Sequence, residues 1–112
     1  MDLPIFDWNQ ALQLAGQKRD LAEDILSMLM KELPDETVKI NQTYKEQNYS
    51  EMLRLVHKLH GALCYSGIPR LKTVIAKLET ELKTNIMDSL PALMDLLNTE
   101  VGLLLEHQSR QI

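Results

Sequence analysis

A short run near the middle of the chain carries side chains that could do chemistry: His57, His60 and Cys64, with Gly61 between them. On a helix that turns by about 100° per residue, His57, Gly61 and Cys64 share one side. The opposite side is apolar and consists of Leu55, Leu59, Ala62 and Leu63. The spacing therefore predicts a helix whose apolar side packs in a core while His57 faces outward.

An outward histidine suits nucleophilic chemistry. An unperturbed imidazole has a pKa near 6.5, so at neutral pH most of it is uncharged and one ring nitrogen is free to attack. Gly61 lies about one turn after His57, and glycine inside a helix costs about 0.8–1 kcal/mol relative to alanine. This glycine indicates either close helix packing or the close approach of another molecule to the imidazole.

Two other functions fit the same residues. His57, His60 and Cys64 stand at i, i+3 and i+7, so they could turn three ligands towards a metal ion. They lack the Glu-x-x-His pattern of di-iron bundles, however. A non-catalytic helical adaptor would explain the helices but would leave a glycine beside an outward histidine without a reason.

The elements that must position this run are all predicted to be helical. Capping residues and apolar residues at helical spacing predict helices over about 7–15, 20–33, 34–47, 49–65, 69–85 and 89–108. Pro34 is interpreted as lying in the first turn of the helix predicted over 34–47, a position where proline is favoured. Short connections favour antiparallel neighbours. The predicted fold is all-α: an up-and-down antiparallel four-helix bundle with a short N-terminal capping helix and a C-terminal helix.

The second predicted helix carries an apolar stripe of Leu21, Ile25, Met28 and Leu29. Such a stripe is typical of a central helix with two neighbours. It would also suit a partly exposed patch for a docking partner. The sequence leaves both interpretations open.

Length and composition bound the class of protein. The chain has 112 residues, 45% of them hydrophobic and 25% charged, which is typical of one globular domain. The net charge is −4 with the basic residues spread among acidic ones, which argues against nucleic acid as a partner. No apolar run reaches the roughly 20 residues of a membrane span, and the N-terminus lacks the pattern of a signal peptide. The single cysteine is expected to be a thiol.

A family resemblance rests on the central run and its flanks. His57-x-Leu59-His60-Gly61, followed by Gly67, resembles the H-x-L-K-G…G signature of histidine phosphotransfer (HPt) domains, with His60 in place of the usual lysine. The longer run 57–70 is more similar still to the C-terminal HPt domain of BarA-type hybrid sensor histidine kinases, and the likeness extends to 7–12 and 18–24.

The resemblance implies both fold and function. It implies an all-α bundle, with residues 1–112 forming a single HPt domain. It also implies a phosphorelay intermediate of two-component signal transduction. His57 would accept a phosphoryl group from a receiver-domain aspartate and pass it to the receiver aspartate of a response regulator.

The resemblance also suggests roles for the neighbours of His57. Arg54, Lys58, His60 and Gly61 would support the phosphoryl group and the receiver, and Leu53 and Cys64 would help the receiver dock. The chain is expected to bind no metal or other cofactor itself, because the receiver would supply Mg²⁺.

The expected partners and setting follow. Without an ATP-binding motif the chain should have no ATP-dependent kinase activity of its own, which leaves open whether it is an enzyme. Its partners would be the receivers of a hybrid sensor kinase and of a response regulator, with no nucleic acid and no direct membrane contact. We expect a monomer in the cytoplasm, compatible with the C-terminal domain of an inner-membrane sensor kinase.

Overall fold

Five helices follow one another along the part of the chain that the structure describes. The computed structural model describes residues 3–110, in which no strand occurs. The helices are α1 (Trp8–Leu14), α2 (Arg19–Lys45), α3 (Tyr49–Leu63), α4 (Pro69–Thr84) and α5 (Leu90–Arg110). Among them, none has the length and apolar character needed to cross a membrane.

The four long helices pack in a ring. α2 contacts α3 and α5, and α4 likewise contacts α3 and α5, while α1 packs on α2. Since successive long helices are joined by short connections, each runs antiparallel to the next. The predicted four-helix bundle with a short capping helix is confirmed.

A continuous apolar core fills the ring. Burial of a large aliphatic side chain contributes roughly 1.5–3 kcal/mol, so this core is the main source of stability. The largest apolar side chains with almost no exposure are Leu33, Ile40, Met52, Leu63, Ile68, Leu71, Ile75, Leu78, Leu97 and Val56. The predicted core side of α3 is confirmed with one correction: Ala62 is exposed, because it lies at the rim between α3 and α2, beside Leu29 and Glu32.

The prediction of separate helices over 20–33 and 34–47 was wrong. α2 runs unbroken through Pro34. Proline has no N–H to donate to the Met30 carbonyl, and inside a helix it typically costs about 3 kcal/mol. Leu33 and Ile40, on either side of the proline, are both completely buried in the core. We attribute the continuity of α2 to this shared buried face, which offsets the local cost.

α1 is held against the turn between α3 and α4. The predicted cap is confirmed, since the Gln10 N–H donates to Asp7 Oδ1 at 3.0 Å. The Asp7 N–H donates to the Gly67 carbonyl at 2.8 Å. Gly67 has φ of +70°, and a Cβ there would lie 2.6 Å from the Asp7 carbonyl oxygen. Gly67 is therefore required both by its backbone conformation and by the close approach of α1.

Candidate functional site

α3 presents His57 to solvent because its other side is anchored in the core. The helix starts at the predicted cap, where the Glu51 N–H donates to Asn48 Oδ1 at 3.4 Å. Leu55, Val56 and Leu59 are buried. The His57 side chain is 70% exposed, as the spacing predicted.

The exposed imidazole is tied to a buried carboxylate on the neighbouring helix. His57 Nδ1 lies 2.6 Å from Glu79 Oε2, and His60 Nδ1 lies 3.0 Å from Glu79 Oε1. The Glu79 side chain is only 10% exposed. Lys83, one turn further along α4, places Nζ 3.7 Å from Glu79 Oε1. We call Glu79, His57, His60 and Lys83 the Glu79 cluster.

Opposing effects set the pKa of the Glu79 carboxyl group. Burial is the largest, and it raises the pKa because the charged form loses contact with water. The hydrogen bonds from His57 and His60, together with the charge of Lys83, lower it. The lowering effects prevail, so the pKa lies below its ordinary value and Glu79 is a carboxylate at neutral pH.

The carboxylate decides which nitrogen of each imidazole carries hydrogen. A carboxylate can only accept hydrogen bonds, so Nδ1 of both His57 and His60 must be the donor. In a neutral imidazole the lone pair is then on Nε2. His57 therefore offers an oriented Nε2 nucleophile on an exposed side chain. The carboxylate against its Nδ1–H would stabilise positive charge that develops in the ring.

His60 lies deeper than its neighbour. Its side chain is 27% exposed, and its Nδ1 is directed at Glu79. The two histidines therefore meet through the two oxygens of a single carboxylate. The prediction that His60 supports the phosphoryl group itself stays a prediction.

The two predicted supporting cations are both exposed and both paired. Lys58 Nζ is 3.5 Å from Glu36 Oε1 on α2, and its side chain is 63% exposed. Arg54 makes a forked ion pair with Glu51 on its own helix. The Arg54–Glu51 pair is exposed, so Arg54 can release its partner at little cost. The Glu36 carboxylate is only 12% exposed, so Lys58 is paired with a largely buried group.

Gly61 is not explained by packing. It is exposed, and a Cβ built on it would meet no atom within 4 Å. The first of its two predicted explanations, close helix packing, is therefore wrong. Its open surroundings leave room beside His57 for a second molecule, as the other explanation requires.

The two predicted docking residues are half-buried. Leu53 packs against the edge of the core, and Cys64, a free thiol as expected, is partly exposed at the end of α3.

On α2, Leu21 and Met28 are exposed to 45% and 64%, whereas Leu29 is buried. The apolar stripe of α2 is thus shared between core and solvent. The helix does have two long neighbours, α3 and α5, and its N-terminal half still presents Leu21 and Met28 to solvent.

The metal-binding alternative has no geometric support. Over the described residues, no group of three or more His, Cys, Asp or Glu side chains is arranged to hold a metal ion. Nδ1 of both His57 and His60 is instead occupied by hydrogen bonds to Glu79.

Sequence reasoning missed Glu79, although a signal was present. The residue falls on the buried stripe of α4 with Leu71, Ile75 and Leu82. An acidic residue on such a stripe is unusual, since Glu is almost never fully buried unless it is paired. Its partner could not be named from sequence, because Glu79 lies 22 positions after His57 on another helix.

Comparison with known proteins gives one consistent result. The Hpt domain family matches residues 24–107. The chain is 39% identical over 94 residues to the signal transduction histidine-protein kinase BarA of Escherichia coli K12. It is 36% identical over 92 residues to the sensor protein GacS of Pseudomonas syringae pv. syringae. Each match covers 82% of this chain but only 10% of the relative, so the chain spans about a tenth of these proteins.

A solved structure extends the likeness to nearly the whole chain. The HPT domain from a sensor hybrid histidine kinase of Shewanella superposes with a TM-score of 0.80 at 30% sequence identity. The superposition covers 97% of each chain. Together with the sequence matches, it confirms the resemblance drawn from the His57 run.

Proposed function

Because the chain belongs to the Hpt domain family, we propose that it is a phosphorelay intermediate in which His57 carries the phosphoryl group. His57 accepts this group from a receiver aspartate of a hybrid sensor kinase. It then passes the group to the receiver aspartate of a response regulator. The observation that supports the proposal most directly is the exposed His57 ring, whose Nδ1 is held 2.6 Å from the buried Glu79 carboxylate.

The transfer needs no external base. His57 Nε2 attacks the phosphorus, the Nε2–P bond forms, and the P–O bond of the aspartyl phosphate breaks. The aspartate leaves as a carboxylate, and the imidazole keeps its hydrogen on Nδ1. Because the ring gains positive charge in this step, the Glu79 carboxylate against Nδ1–H stabilises the product.

The receiver completes the site. Phosphoryl transfer is catalysed mainly by in-line positioning and neutralisation of charge. In our proposal the receiver supplies its own Mg²⁺, while Lys58 and Arg54 turn their exposed cationic ends towards the phosphoryl oxygens or towards acidic receiver groups. Leu53, Cys64 and the open space at Gly61 lie beneath the docked receiver. This chain contributes no ATP-dependent step, and it works in the cytoplasm.

A labelling experiment tests the proposal. A receiver domain carrying labelled phosphate is incubated with the chain and Mg²⁺, and the acid-labile, alkali-stable label of phosphohistidine is followed. Wild type should take up the label and His57→Gln should not. His107→Gln is the matched control, since His107 is an exposed histidine on α5.

Each contrary result has a defined meaning. Label that persists on His57→Gln would move the phosphoryl group to another residue and overturn the assignment. A folded wild-type chain that binds the receiver without taking up label would instead indicate the adaptor function.

A further inference from the structure

His57 and Lys58 are neighbours in sequence, but they are tied to opposite sides of α3. His57 Nδ1 lies 2.6 Å from Glu79 Oε2 on α4. Lys58 Nζ lies 3.5 Å from Glu36 Oε1 on α2. Successive residues of a helix point about 100° apart, which allows each of the two side chains to turn to a different neighbouring helix. The Lys58 ammonium group is therefore directed away from the side of α3 on which His57 is held.

Glu36 holds Lys58 more firmly than an exposed carboxylate would. The Glu36 side chain is only 12% exposed. Its second oxygen, Oε2, is buried and has no hydrogen-bond partner among residues 3–110. A carboxylate that is removed from water is stabilised by a nearby cation, and removal of that cation is strongly destabilising. If Lys58 turned to the far side of α3, Glu36 would keep its charge without the ion pair that the structure gives it.

Arg54 differs from Lys58 in this respect. It pairs with Glu51 on its own helix, and both side chains of that pair are exposed. Because water can replace either partner there, Arg54 can turn to another anion at little cost. Lys58 is held in place, yet its side chain is 63% exposed. Its charge is therefore presented to solvent from a fixed position beside α2.

Lys58 shares this position with other cations. A groove between α2 and α3 is lined by Lys58 and Arg54 of α3 and by Lys39 of α2. The carboxylates of Glu36 and Glu51 line the same groove. The three cations outnumber the two carboxylates, and one of these carboxylates is largely buried. The groove therefore presents net positive charge to an approaching molecule, and an acidic surface complements it.

Resting on the proposed function, we infer that Lys58 binds an acidic group on the surface of the receiver and does not act on the phosphoryl group. Glu36 provides the physical reason, because it keeps the ammonium group on the α2 side of α3. Attraction between exposed charges promotes the association of two proteins and weakens with salt. Lys58 thus contributes to binding of the phosphorylated receiver, while the chemical step depends on His57 and Glu79.

Two phosphoryl donors separate binding from chemistry. Phosphoramidate is a small donor that needs no docked protein, whereas a phosphorylated receiver must bind first. With Lys58→Met, the receiver concentration that gives half the maximal labelling rate should rise about threefold to fivefold. The maximal rate and the rate of labelling by phosphoramidate should stay at the wild-type values. The rise should diminish as salt increases from about 0.05 M to about 0.5 M.

Three further variants make the result specific to this charge. Lys58→Arg keeps the charge and should retain the wild-type behaviour. Lys77→Met, which removes an exposed lysine on α4, is the matched control and should also behave as wild type. Because Lys58→Met leaves Glu36 without its partner, the double variant Lys58→Met with Glu36→Gln removes both charges together and guards against loss of the fold. It should show the same rise for the receiver.

The outcomes distinguish the two proposals. If Lys58→Met and the double variant both slow labelling by phosphoramidate, Lys58 acts on the phosphoryl group and the inference is wrong. It is equally wrong if both variants label from the receiver as wild type does. Absence of label on His57 of a folded wild-type chain, from phosphoramidate and from the receiver alike, overturns the proposed function and the inference with it.

Discussion

α4 contributes to two contacts of a buried carboxylate, one at each of its edges, and the two carboxylates meet different partners. Towards α5, Glu100 accepts from Arg70 at 2.6 Å, and its side chain is 8% exposed. Towards α3, Glu79 is 10% exposed but meets two imidazoles. A guanidinium is always charged and has only donors, so the Arg70–Glu100 pair can only link two helices. An imidazole bonded through Nδ1 keeps a second nitrogen for chemistry, which makes the Glu79 cluster a candidate site.

The strongest test of this difference exchanges each carboxylate for an amide. Glu79→Gln should slow labelling of His57 by about tenfold to a hundredfold, the range typical when the carboxylate that orients a metal-bound histidine is lost. Glu100→Gln, the matched control, should label at the wild-type rate. Initial rates from one phosphorylated receiver measure both, and equal slowing by the two variants would contradict the distinction.

Loss of the Arg70–Glu100 pair should lower stability and leave labelling unchanged. Arg70→Met leaves Glu100 buried without its partner, which should lower the free energy of unfolding by about 2–3 kcal/mol. This figure is reduced from the fully buried case because the Arg70 side chain is 37% exposed. Denaturant titration gives the free energy, and the labelling rate of the folded variant should be unchanged. A stable Arg70→Met variant that labels slowly would mean that this pair supports the site.

Because the pKa of Glu79 is lowered, part of the stability of the fold depends on pH. Because the carboxyl pKa is lower in the folded chain than its ordinary value of 4.5, Glu79 favours folding above that value. This contribution disappears as pH falls through the lower folded pKa. The stability difference between wild type and Glu79→Gln, measured by denaturant from about pH 5.5 to about pH 3, should therefore shrink with falling pH. A difference that grows instead would show the pKa to be raised.

The smallest expected effects come from two exposed glycines, one on α3 and one on α5. Gly61 on α3 and Gly102 on α5 are both exposed, and a Cβ on either would meet no atom within 4 Å. Alanine at either position should stabilise the fold by about 0.5–1 kcal/mol.

Only Gly61→Ala should also slow labelling by a receiver, because only this glycine lies beside His57. Labelling by phosphoramidate, which needs no docked protein, serves as the internal control and should be unaffected. If Gly61→Ala and Gly102→Ala both label at the wild-type rate from a receiver, Gly61 does not serve the receiver's approach.

Most of the fold could be predicted because its signals are local. The caps at Asp7 and Asn48, and the apolar spacing of α3 and α4, depend only on residues within a turn or two. Pro34 was misjudged for the same reason. Its local preference favours a helix start, whereas the buried residues on both sides of it belong to one face of one long helix.

For the site, the sequence by itself determined that His57 lies on the outward side of a core-anchored helix, since helical periodicity is set by the backbone. Only the tertiary structure decided what His57 meets. The packing of α3 on α4 brings Glu79 to both His57 and His60, and so determines which ring nitrogen of each is free. No local pattern could show this contact, because it joins residues 22 and 19 positions apart through the packing of two helices.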